Sequence, residues 1–168
     1  MWNFTRVSVL LMLIFLLFGC SNDGEENVKF NVLASEKRLP ANFDKIAYER
    51  FTVPSFKYLV KKAINQSEFE ENWDLFGLEQ PFPDVDFNED VVFFIGLRES
   101  GSCESEIKNL QLVSEENKLI ILISGPGGDC TADASPKTFV IELEQELSYN
   151  INELIIVQSN VETTVPFH

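Results

Sequence analysis

Cys103 and Cys130 are the first residues in this chain whose type invites chemistry. As thiolates they could hold a metal or exchange electrons, and as a pair they could close a disulfide. No CxxC spacing accompanies them, and the one His among 168 residues is His168, so a metal is the poorer reading. Asp84, Asp86, Asn88 and Asp90 set oxygen at alternate positions, as the first half of an EF-hand loop does. Such a loop needs Gly at its sixth position and Glu at its twelfth. This chain has Glu89 and Ile95 there, so a solvated acidic turn before a buried strand is the simpler account. Gly125-Pro126-Gly127-Gly128-Asp129 follows an apolar run, as phosphate loops do, but it lacks the Lys and the helix start, and Asp129 would repel an anion. It reads as a glycine turn. Nucleophilic catalysis needs a base beside the nucleophile. No His lies before the last residue, and neither GxSxG nor SxxK is present. The 27 Asp plus Glu offer many carboxylate pairs for glycoside chemistry, and nothing selects one. The expectation is a non-enzymatic protein with no metal and no cofactor.

The amino-terminal residues read as an address. Val7 to Phe18 is apolar except for Ser8. That is too short to cross a hydrocarbon layer about 30 Å thick, which takes roughly 20 helical residues, but it fits the centre of a secretory signal. Leu17-Phe18-Gly19-Cys20 follows, and it resembles the bacterial lipobox. The resemblance implies a diacylglycerol on the Cys20 thiol, cleavage before Cys20, and a protein held to a bacterial membrane on the extracytoplasmic side, at the outer membrane or the cell surface. Two acyl chains anchor stably where one does not. Ser21 to Asn27 has no apolar residue and is expected to be a flexible tether, so that residues 28–168 form one globular domain. The acidic start of this stretch is similar to surface-export signals; read blandly, it is a hydrophilic spacer.

Export would put Cys103 and Cys130 in an oxidising compartment, where a spare pair becomes a structural disulfide. The loop-entropy model gives about 3–4 kcal/mol for such a bridge. The net charge of −14 makes nucleic acid a poor partner, since the surface would repel a phosphate backbone.

The elements that must position these residues are mostly strands. Ile46 to Phe56 and the segment after it to Ile64 suit extended structure broken at Pro54. Ser67 to Phe76 is the one clear helix: Ser67 and Glu70 have capping-box spacing, Phe69, Trp73 and Phe76 recur on one face, and Gly77 follows as a stop. Trp73 belongs to the core on that spacing, with ligand stacking as the alternative. Val91 to Leu97 has no polar residue and reads as a central strand covered on both faces. Ile107 to Val113 and Lys118 to Ile123 flank a turn and should form a hairpin; Thr138 to Leu143 and Glu153 to Val157 complete the strands before a polar tail. The fold class is α+β, a mostly antiparallel sheet as sandwich or partly open barrel with one short helix.

From Ser67 to about Leu143 the order of features resembles the PrcB-like domain of protease-complex-associated lipoproteins. It is carried by Glu70 to Trp73, Val85-Asp86-Phe87, Val91-Val92, Gly96, Ser100-Gly101, Glu106-Ile107 and Ser135-Pro136. Where that family has a glycine-tyrosine turn, this chain has Glu99-Ser100-Gly101-Ser102-Cys103-Glu104, so a bridge to Cys130 would tie two loops together. The resemblance implies an accessory role in stabilising a membrane-associated complex. The expected binding loops are Ser100, Gly101, Ser102 and Glu104 with Gly127, Gly128 and Asp129, and the expected partners are the membrane through Cys20 and a protein. A small-ligand or cation-binding lipoprotein that uses the acidic loops is the alternative.

Overall fold

The computed structural model describes residues 25–113, 117–125, 128–148 and 150–167. In chain order the elements are β1 Glu25–Asn27, β2 Asn31–Glu36, α1 Phe43–Ile46, β3 Tyr48–Glu49, β4 Lys57–Ala63 and α2 Gln66–Phe76. They continue with β5 Asp90–Glu99, β6 Glu106–Val113, β7 Lys118–Ser124, β8 Ser135–Glu144, α3 Gln145–Ser148, β9 Glu153–Gln158 and β10 Val161–Pro166. The strands form two five-stranded sheets, β1-β6-β7-β9-β10 and β2-β8-β5-β4-β3. All pairings are antiparallel except β7 with β9, which is parallel. The architecture is a sandwich with a helix on its outside, not a closed barrel.

A run with no polar side chain needs cover on both faces, and Val91 to Leu97 has it within β5. It lies in the middle of its sheet, and every residue from Val91 to Leu97 is buried. Phe93, Ile95 and Leu97 join Leu110, Leu119, Ile121, Ile141, Leu154 and Ile156 in one apolar core. Val92 and Phe94 point the other way, into a second core with Leu59, Phe69, Trp73, Phe76 and Val140. Alternation along one strand therefore builds both cores. Gly96 faces α2, and a Cβ there would lie 2.7 Å from Leu39 Cδ2 and 3.0 Å from Phe76 Cε1. Only glycine lets these groups pack so close to the strand.

The helix starts two residues earlier than Ser67 and Glu70 suggest. Asn65 is the extended N-cap, its side chain accepting from Glu68 N at 3.0 Å, while Glu68 Oε2 accepts from Ile64 N at 3.0 Å. Asn caps as well as Ser, and β4 ends just before Asn65, so that residue makes the turn into the helix. Gly77 ends it in the left-handed region at φ 64°, as its position implies. Trp73 is 2% exposed, in the core, with Nε1 donating to Gln80 O at 3.2 Å.

Three expectations are corrected. Glu25–Asn27 is a strand paired with Gln111–Val113, so the spacer cannot run free to Asn27. Pairing there is by backbone, which polar residues satisfy as well as apolar ones. The polar tail holds β10, hydrogen-bonded to β9 across a turn in which Ser159 and Asn160 both have positive φ. That is the primed turn a tight hairpin requires. Thr163 and Val165 face inward. Within Ile46 to Phe56, only Tyr48–Glu49 is strand; Ile46 ends α1, and the rest is a loop before β4. Among the described residues no helix is long and apolar enough to cross a membrane.

Candidate functional site

β5 ends and β6 begins on either side of Cys103, and β7 ends and β8 begins on either side of Cys130. Four strand ends thus converge on one pole of the sandwich, and the Cys103–Cys130 disulfide joins their two loops with Cα atoms 5.6 Å apart. Cys20 and Gly127 lie outside the described residues.

Hydroxyls and one carboxylate lock the loops further. Ser102 Oγ accepts from Thr131 N at 2.9 Å, and Ser100 Oγ lies 3.1 Å from Thr131 Oγ1. Asp133 Oδ1 accepts from Gly101 N at 3.1 Å and also from the Thr131 hydroxyl, while Ser135 Oγ donates to Oδ2 at 3.3 Å. These bonds, the one from Thr131 foremost, hold the Asp133 carboxyl below its ordinary range. A Cβ on Gly101 would come within 2.1 Å of Asp133 Oδ2, so glycine is what permits the approach. Glu104 pairs with Lys37 at 2.6 Å, which lowers the carboxyl and raises the amine. Gly128 and Asp129 are exposed, and Gly128 takes a positive φ of 144°. Ser100, Gly101 and Ser102 are therefore brought against the Cys130 loop. Glu104 turns to Lys37 instead, and the partners of the turn, Thr131 and Asp133, come from the carboxy-terminal end of the Cys130 loop.

The same pole carries an apolar tip. Between β3 and β4 the chain makes a loop closed by Arg50 N donating to Phe56 O at 2.8 Å. The Arg50 guanidinium donates inward to Thr52 O at 2.7 Å and Pro54 O at 3.0 Å. Phe51 and Val53 are each 93% exposed on this pinned loop. Its return limb, Ser55 and Phe56, borders a hollow shared with Ser100 and Asp133. The described chain begins at the other pole: Glu25 pairs with Val113, Val113 with Lys118, and Lys118 with Glu153. The ten residues of β5 separate the poles by about 33 Å at roughly 3.3 Å per residue.

The acidic loop before β5 sits at that opposite pole. Asp86 Oδ1 accepts from Asn88 N at 3.0 Å and Nδ2 at 2.8 Å, a local turn that spends its oxygen on neighbours. Among the described residues no group of three or more His, Cys, Asp or Glu could hold a metal ion. Asp90 is raised above its ordinary value of 3.8, first by burial and then by Glu142, Glu89, Asp86 and Glu144. An acid whose folded value is raised binds its proton more tightly folded than unfolded, so stability falls as pH rises from 3.8 through the raised value. Asp90→Asn should therefore raise Tm at pH 7 by roughly 1–3 °C, with the gain fading as pH falls toward 3.8. Melting curves of both chains at pH 7 and pH 4 check this; a lower Tm for the variant at pH 7 would count against the repulsion.

No family model, curated protein or solved structure matches this chain.

Proposed function

We propose that this chain is a lipid-anchored, non-enzymatic accessory protein of the bacterial cell envelope that binds a protein partner through its disulfide pole. The observation that carries the reading is the grouping of the tied loops with the exposed Phe51 and Val53 at the pole opposite the start of the described chain. A lipid on Cys20 would be joined to Glu25 by five residue steps, a reach of at most about 18 Å. That is about half the distance between the poles, so an anchored body would offer the disulfide pole to solvent and to partners. Aromatic anchors on rigid loops are the usual centre of protein interfaces. The likeness of the central segment to PrcB-like domains fits a role in stabilising a membrane-associated complex.

A photo-crosslinking side chain placed in turn at Phe51, Ser102 and Asn88 of the full chain in its native membrane tests this. Adducts to a common protein partner are expected from Phe51 and Ser102, several-fold stronger than from Asn88 at the opposite pole. Equal yields from all three positions would remove the reading.

A further inference from the structure

At the floor of the disulfide pole one carboxyl group is only half satisfied. Glu99 closes β5 with its side chain on the inter-sheet face and is 5% exposed. Its Oε2 accepts from Ser105 N at 2.6 Å, but Oε1, equally buried, has no hydrogen-bond partner among the described residues. No ion pair reaches it within the described residues either. Lys37 is engaged with Glu104 at 2.6 Å, and Lys137 holds its Nζ over the Phe139 ring, 5.2 Å from the centroid. A buried acceptor without a donor bears its full desolvation penalty, so something with N–H or O–H groups is the natural complement.

Glu99 stands between two hollows that open at this pole, about 390 and 480 Å³, and lines both. The first also meets Ser105, Ser124 and the bridge sulfurs' residues, with Gln158 and Ser159 forming the wall common to both hollows. Such a lining offers several oxygen acceptors around one carboxyl group. A guanidinium matches it better than an ammonium, because its five N–H donors spread over a plane and can serve Oε1 and the serine oxygens together. The acidic surface, at −14 overall, would draw in a cationic partner.

We infer that the first of these hollows, the one on the Ser105 and Ser124 side of Glu99 whose lining holds no Lys or Arg among the described residues, receives an arginine side chain of the protein partner, the guanidinium donating to Glu99 Oε1. This rests on the interaction reading above and names the chemistry by which the partner is held.

The test uses the full lipidated chain, labelled with nitrogen-15 in detergent micelles, and titrates N-acetyl-arginine amide and its neutral isostere N-acetyl-citrulline amide. Saturable shifts of the Ser105, Ser124 and Gly125 amides are expected with the arginine compound and not with citrulline. Glu99→Gln keeps the shape and should weaken arginine binding at least about tenfold, with the Trp73 indole signal unmoved as the check on folding. Equal shifts from both compounds in the unaltered chain would overturn the inference without reference to any variant, as would unchanged arginine affinity in Glu99→Gln. If the guanidinium site fails while the Phe51 and Ser102 adducts persist, only the arginine assignment falls. Arginine binding through Glu99 without pole-specific adducts would instead remove the protein partner.

Discussion

Phe94→Ala should cost this protein about 3–5 kcal/mol of unfolding free energy, a large share of what a domain of this size has. Phe94 is fully buried, on the face of β5 turned toward α2. Its ring centroid lies 5.7 Å from Phe69, 5.6 Å from Phe76 and 6.3 Å from Trp73, the last edge-on. Truncation removes the transfer energy of the ring and three aromatic contacts. It also leaves a void that the helix cannot close by moving inward, because Phe76 already lies 3.0 Å from where a Cβ on Gly96 would be. Urea unfolding of the two chains would show the midpoint falling with the slope unchanged. A loss below about 1 kcal/mol would mean that the layer collapses freely and that close packing here has been overvalued.

Replacing Cys103 and Cys130 with Ser should lower stability by about 3–4 kcal/mol, as the chain-entropy model gives for a bridge between residues 27 apart. Its local consequence differs from that of Phe94→Ala. Neither cysteine belongs to the two apolar cores, so the sandwich should remain folded at room temperature. The loops at residues 100–104 and 128–133 would then be held together chiefly by exposed hydroxyl and carboxylate bonds, such as those of Ser102, Thr131 and Asp133. Amide hydrogen exchange should quicken by an order of magnitude or more at Gly101 and Thr131 while the β5 amides stay protected. Unchanged exchange at Gly101 and Thr131 would show that the bonds, and not the sulfurs, order the pole. Crosslinking from Ser102 should fall in the same variant if the binding surface needs both loops in register.

Some of this is legible in the chain because it is local. The unbroken apolar run from Val91 to Leu97 needs cover on both faces wherever it is placed, and β5 has it. Phe69, Trp73 and Phe76 lie on one face of any helix that contains them, and Gly77 can end it where larger residues resist. Two remaining cysteines in a chain read as exported have only each other, and the bridge between Cys103 and Cys130 follows. Turns flanked by apolar runs name the β6–β7 hairpin.

What escaped the sequence depends on partners distant in the chain. Glu25–Asn27 shows no strand pattern, because its pairing with β6 asks only for backbone groups. The parallel pairing of β7 with β9 skips β8, which goes to the other sheet; each apolar run is equally suited to either. Glu99 is the sharpest case. A glutamate at a strand end reads as solvated surface, and its burial follows only because the strand carries its inward alternation one step past Leu97, beneath loops from three other places in the chain. Residue type and spacing thus decided the apolar strands β5 to β9 and the run of β4, the helix α2, the sulfur pair and the expectation of an anchor at Cys20, while β1, β2 and β10 carry no such pattern. Tertiary packing decided which ends of those strands meet, because side-chain burial and loop closure are settled between segments far apart in the chain and not within any one of them.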